Sequence, residues 1–197
     1  AAEDLYAEDE YLQNNLALAY FVRKRFDLAT EHARRALDIN PKYVDARNNY
    51  GRILIETRNY REAINELKKV TDDLTYNQPE KGFFNLGLAY FRTRQYDNAL
   101  TQFSRSIEYN RSFCLAQTYY GRTLLEQKQL TSACVNLDKA ASTCKDQNYD
   151  EALFFGAVCY QRITDREKAR ARLKELVELY PDGQYYSQAQ EMLKKLE

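Results

Sequence analysis

Residues 80–113 read EKGFFNLGLAYFRTRQYDNALTQFSRSIEYNRSF, and this stretch decides the fold because the chain repeats its pattern. Ala99, near its middle, has counterparts at Ala29, Ala63, Ala133 and Ala169, so the successive spacings are 34, 36, 34 and 36 residues. A small residue stands twelve positions before each: Ala17, Gly51, Gly87, Gly121 and Ala157. Around these anchors the apolar residues recur at i, i+3, i+4 and i+7, which keeps them on one helical face. Glycine inside a helix costs about 1 kcal/mol relative to alanine. Its recurrence at Gly51, Gly87 and Gly121 therefore points to close helix contact, with a small residue admitting a large side chain of the partner helix.

A period near 34 residues is that of the tetratricopeptide helix pair. The expectation is an all-α, right-handed superhelical solenoid of tetratricopeptide repeats, in which each pair buries its face on its neighbours. The repeats are placed at 10–43, 44–77, 80–113, 114–147 and 150–183, with the extra residues in turns near Asn77–Pro79 and Asp146–Asn148. Residues 184–196, with Tyr185, Ala189, Met192, Leu193 and Leu196, read as a capping helix over the last open face, and residues 1–9 as a helix end or loose tail.

Composition narrows the function. Lys+Arg and Asp+Glu both number 29, so no net charge favours a phosphate backbone or an acidic membrane. No run approaches the ~20 apolar residues of a membrane-spanning helix. Nucleophile elbows, phosphate loops, zinc-protease motifs and dinucleotide turns are all missing, and the single histidine, His32, leaves little acid–base capacity. No cofactor or metal is expected. The chain reads as a binding protein, not an enzyme.

In this architecture the first helix of each pair lines the inner surface with repeat positions 2, 5, 9 and 12. Those positions give Lys81, Phe84, Leu88 and Phe91 in the third repeat, beside a core stripe of Phe83, Leu86, Gly87 and Tyr90. Leu18 and Phe21 stand apart from the core stripe in the first repeat in the same way, and Asn48, Arg52 and Arg122 add polar groups. Surplus apolar residues facing a groove suit a partner segment lying there, with Arg and Asn meeting its backbone or carboxylates. Phe84 and Phe91 equally suit a core role against the neighbouring helix. A carboxylate clamp of the chaperone-adaptor kind is only partly matched by Asn14, Asn49, Lys81 and Asn85, and Leu18 stands where Asn is required.

All four cysteines fall in the last two repeats. Cys114 opens one helix and Cys144 ends its antiparallel partner, so a disulfide between them is within reach in an oxidising compartment. Cys134 and Cys159 also come into range, but as small residues they fit the alternative of buried thiols filling alanine-like places better.

Further runs carry a more specific resemblance. Asn48-Asn49-Tyr50-Gly51, Tyr60-Arg61-Glu62-Ala63, Leu74-Thr75-Tyr76 before Pro79-Glu80, Phe84-Asn85-Leu86-Gly87-Leu88, Asn110-Arg111, and Leu179-Tyr180-Pro181 before Gly183 and Tyr185 are similar to the tetratricopeptide-repeat pilotins of type IV pilus systems. The resemblance covers most of the chain from about residue 10. It implies an outer-membrane lipoprotein facing the periplasm that promotes localisation and multimer assembly of the pilus secretin. The chain starts at Ala1 without an initiator Met, and the lipidated cysteine implied by the family would lie upstream. The rival expectation is a cytosolic adaptor that binds a peptide of a chaperone or signalling partner.

Overall fold

The computed structural model describes residues 9–147 and 149–196, so the expected tail lies almost wholly outside the described residues, as does part of the turn at Asp146–Asn148. Among the described residues there are eleven α-helices and no strand. They are α1 (Glu10–Val22), α2 (Phe26–Ile39), α3 (Val44–Glu56), α4 (Tyr60–Asp72), α5 (Pro79–Arg92), α6 (Tyr96–Tyr109), α7 (Cys114–Glu126), α8 (Leu130–Cys144), α9 (Glu151–Arg162), α10 (Arg166–Leu179) and α11 (Tyr186–Leu196). The chain forms two compact units that meet in sequence between Asn98 and Ala99.

In the first unit α1 to α4 each pack on the next helix, and α3 also touches α1 and α5. The second unit follows the same rule: each of α7 to α10 packs on its successor, and α9 also touches α7. Contacts confined to near neighbours are what a stacked helix-pair repeat requires. The five anchoring alanines have no exposed surface at all. In the second unit two apolar clusters form, one around Leu124, Leu137 and Tyr160, the other around Leu153, Leu173, Leu176 and Tyr180. The last helix, α11, buries Ala189 fully and lays Met192 and Leu193 on the second cluster.

Glycine placement follows from the packing. A Cβ on Gly51 would stand 2.5 Å from both Cγ and Cδ2 of Leu67, and one on Gly121 would stand 2.7 Å from Cγ of Leu137. Neither leucine has room to yield at its branch point, and both are fully buried. Gly156 differs, because a Cβ there meets only ordinary contacts of 3.8 and 3.9 Å.

Helix starts and stops are set by local chemistry. Asp9 Oδ1 accepts from the backbone N–H groups of Tyr11 and Leu12 and so caps α1. Pro79 opens α5, where its missing N–H costs nothing. The first helix of every pair ends in the same way. Lys24, Arg58, Arg94, Lys128 and Thr164 all take a left-handed backbone with φ between 58° and 62°. The next residue's N–H then returns to the carbonyl five positions back: Arg25 to Tyr20, Asn59 to Leu54, Gln95 to Tyr90, Gln129 to Leu124 and Asp165 to Tyr160. This position favours glycine, yet no repeat uses one, and Thr164 is β-branched.

Two measurements of thermal unfolding follow from these contacts. Gly51→Ala is expected to destabilise, because overpacking costs about 1–3 kcal/mol and outweighs the gain in helix propensity. Gly156→Ala, by contrast, is expected to raise the melting temperature. Equal signs for the two would contradict the packing described. Thr164→Gly is expected to stabilise by about 1 kcal/mol through relief of the left-handed backbone, and a loss on that substitution would show that Thr164 is unstrained.

Candidate functional site

In the first unit α1, α3 and α5 lie side by side as the first helices of their pairs. Amide hydrogen bonds tie them together. Asn49 Nδ2 donates to Asn14 Oδ1 at 2.9 Å, and Asn85 Nδ2 donates to Asn48 Oδ1 at 2.8 Å. Asn48 is only 4% exposed and Phe84 only 8%. Two of the residues expected to face a partner are thus core. Asn48 and Phe84 hold the same repeat position, 36 residues apart, and Asn48 is spent on its bond to the neighbouring first helix.

One turn further along the same helices the surface opens. Leu88 and Phe91 are half-buried, as are Leu18 and Phe21, while Arg52 and Lys81 are exposed. The Arg52 guanidinium lies over the Phe21 ring, 5.1 Å from its centroid. Phe21 meets Phe26 edge-on at 5.8 Å, and Phe91 meets Tyr96 at 5.9 Å. Tyr76 is buried in the turn before α5, and that burial, aided by Asp45 and Glu80 and opposed by Arg52, pushes its hydroxyl above the ordinary tyrosine range. Half-covered apolar side chains, one of them beneath an exposed guanidinium, can take apolar anchors together with a carboxylate or carbonyl of a partner chain.

The second unit treats Arg122 differently. Its guanidinium is paired with the Glu151 carboxylate and lies between two rings, 4.5 Å from the Tyr119 centroid and 4.0 Å from that of Phe155. Tyr149 donates its hydroxyl to the same carboxylate. Burial first, then the Glu151 charge, raises the Tyr149 hydroxyl far above its usual range. Tyr185 stacks on Phe154 at 4.5 Å, and its hydroxyl is pushed up to about 12, chiefly by burial. Expected as a partner contact, Arg122 is already occupied within its own unit. Glu151, Tyr149 and Phe155 escaped the sequence reading because their joint role depends on how α7 and α9 meet.

The cysteines close two cross-links. Cys114 joins Cys144 with Cα atoms 5.4 Å apart, and Cys134 joins Cys159 with Cα atoms 5.5 Å apart. The second pair, expected as buried thiols, is therefore bonded as well, since α8 and α9 pack antiparallel and bring the two Cα atoms within range. Among the described residues no group of His, Cys, Asp and Glu could hold a metal ion.

Helix pairs of this period and packing define a class of protein-binding scaffold, and the comparisons agree. Tetratricopeptide-repeat models match residues 12–75, 80–113 and 147–183, and the chain belongs to the tetratricopeptide-repeat family. It is homologous to the type IV pilus assembly protein PilF of Pseudomonas aeruginosa, being 27% identical over 175 residues, which are 89% of this chain and 69% of the relative. The crystal structure of PilW, a widely conserved type IV pilus biogenesis factor, superposes with a TM-score of 0.82 at 24% identity, covering 92% of this chain and 82% of that one. The structure of Pseudomonas aeruginosa PilF gives a TM-score of 0.75 at 24% identity, covering 94% of this chain and 82% of that one. None of these matches is to an enzyme family.

The Arg122 pair generates one prediction. Its side chains are only 18% and 11% exposed, so removing one partner strands the other away from water. Arg122→Leu is expected to cost about 3 kcal/mol by urea denaturation. A cost near that of a surface pair, below about 1 kcal/mol, would mean that the guanidinium is free for a partner.

Proposed function

We propose that this protein is a non-catalytic scaffold acting as a pilotin, which promotes outer-membrane localisation and multimer assembly of the type IV pilus secretin. The observation that carries the reading is the similarity to a pilus assembly protein along 89% of the chain. The proposed location is the periplasmic face of the outer membrane, with the lipid anchor supplied by a cysteine upstream of Ala1. Two disulfides support an oxidising compartment and speak against the cytosolic adaptor, since cytosolic thiols are kept reduced. The secretin segment would rest on Leu18, Phe21, Leu88 and Phe91, with Arg52 meeting a carboxylate or carbonyl and Lys81 at the rim. Asn48 and Phe84 would hold the helices beneath that surface.

Replacing Leu88 and Phe91 together by Ser tests this reading. Capture of the purified secretin is expected to fall at least about tenfold, with helix content and melting curve close to those of the parent. Unchanged capture by the folded variant would remove this surface from the account. Mass spectrometry of the native protein without reductant should find no free thiol; four free thiols would return the cytosolic adaptor to first place.

A further inference from the structure

The second unit holds a cleft that the pilotin reading does not use. It lies between α6, α7 and α8, has a volume of about 520 Å³, and is lined by Ser104, Ile107, Glu108, Gln117, Tyr120 and Asn136, with Arg111 and Lys139 at its edge. A second hollow of about 400 Å³ continues it along α6 and shares Ser104, Glu108 and Tyr120. Sharing these residues, the two hollows form one trough along α6.

What distinguishes the trough is an unanswered acceptor. Gln117 is 6% exposed, and its Oε1 finds no hydrogen-bond partner among the described residues. The amide cannot simply turn over, because its Nε2 already donates to the carbonyl of Arg111. The first two repeats show how a polar residue at this position is settled. Gln13 stands at this place in the first repeat, and its Oε1 meets Nδ1 of His32 on α2 at 2.7 Å. Arg47 stands there in the second and pairs with Glu66 on α4. The residue that corresponds to His32 and Glu66 in the fourth repeat is Asn136. Asn136 turns its Nδ2 to the carbonyl of Ser132 at 2.8 Å instead, and the cleft opens between it and Gln117.

A buried carbonyl left without a donor is costly, and that cost is recovered when a ligand N–H arrives. We propose that this trough docks an extended acidic peptide segment of a partner protein. Gln117 Oε1, covered in the unbound protein, turns toward the trough to meet a backbone N–H of the segment, acidic side chains lie against Arg111 and Lys139, and an apolar side chain rests on Ile107 and Tyr120. Extended backbone supplies N–H groups at regular intervals, and Arg111 and Lys139, which together outweigh the single carboxylate of Glu108 in the lining, select the charge of its side chains. The trough lies wholly within the second unit and does not depend on the pilotin reading.

The test titrates the isotopically labelled full chain with the blocked tripeptide acetyl-Asp-Leu-Asp-amide, and separately with its lysine counterpart, followed by amide chemical shifts. Saturable shifts at Ser104, Gln117, Tyr120 and Asn136 are expected for the acidic peptide alone. Lys139→Glu, at an exposed position, is expected to weaken binding about tenfold. Gln117→Met keeps the side-chain length but removes both the orphan acceptor and the Nε2 bond to the Arg111 carbonyl, two effects of opposite sign, so it should leave the melting temperature nearly unchanged while weakening binding to a similar degree. Absence of saturable shifts, an equal response to both peptides, or a destabilised Gln117→Met protein combined with undiminished binding to Lys139→Glu would each overturn the proposal.

Discussion

The structure depends on a leucine of one helix entering the space that a glycine leaves on its partner. Leu67 closes on Gly51 and Leu137 on Gly121 at distances where no side-chain carbon could stand between them. Two helices drawn that close can bury alanine completely, as Ala63 and Ala133 show. The short turn follows from the same closeness. A helix pair this tight needs its first helix stopped abruptly, and a left-handed residue does so at every repeat even though Lys, Arg or Thr must bear the backbone cost.

That closeness also decides which inner residues remain for other molecules. Where α3 meets α5 the seam consumes the amide of Asn48, and the ring of Phe84 is buried as well. Residues a turn away keep part of their surface, and Arg52 remains exposed above Phe21. In the second unit the same region is filled from within, where Arg122, Glu151, Tyr149 and Phe155 satisfy one another. The two units thus share a repeat and differ in how much of their polar chemistry is settled internally.

Helices, turns and core were legible in the sequence because they arise from spacing. Ala29, Ala63, Ala99, Ala133 and Ala169 all came out fully buried, and Gly51 and Gly121 proved to be close-contact points. The candidate site was less legible. Phe84 and Phe91 look alike on a helical wheel, and only the overlap of neighbouring helices makes one core and the other half-covered. Cys134 and Cys159 read as alanine substitutes because their separation depends on how two helices cross. Gln117 carried a faint signal, since Gln13 and Arg47 precede it at the same repeat position, but its unpaired carbonyl becomes visible only once Asn136 is seen to turn away.

The two cystines interleave along the chain: Cys114, Cys134, Cys144 and Cys159 pair first with third and second with fourth. An oxidant acting on thiols in the order of their synthesis would couple Cys114 to Cys134, which is a wrong partner. The correct connectivity therefore requires either that α7, α8 and α9 assemble before oxidation, or that a shuffling catalyst repairs the first bond by thiolate exchange. Maturation of the C-terminal half thus depends on helix docking before oxidation or on later disulfide exchange, a constraint that residues 1–98, which carry no cysteine, escape.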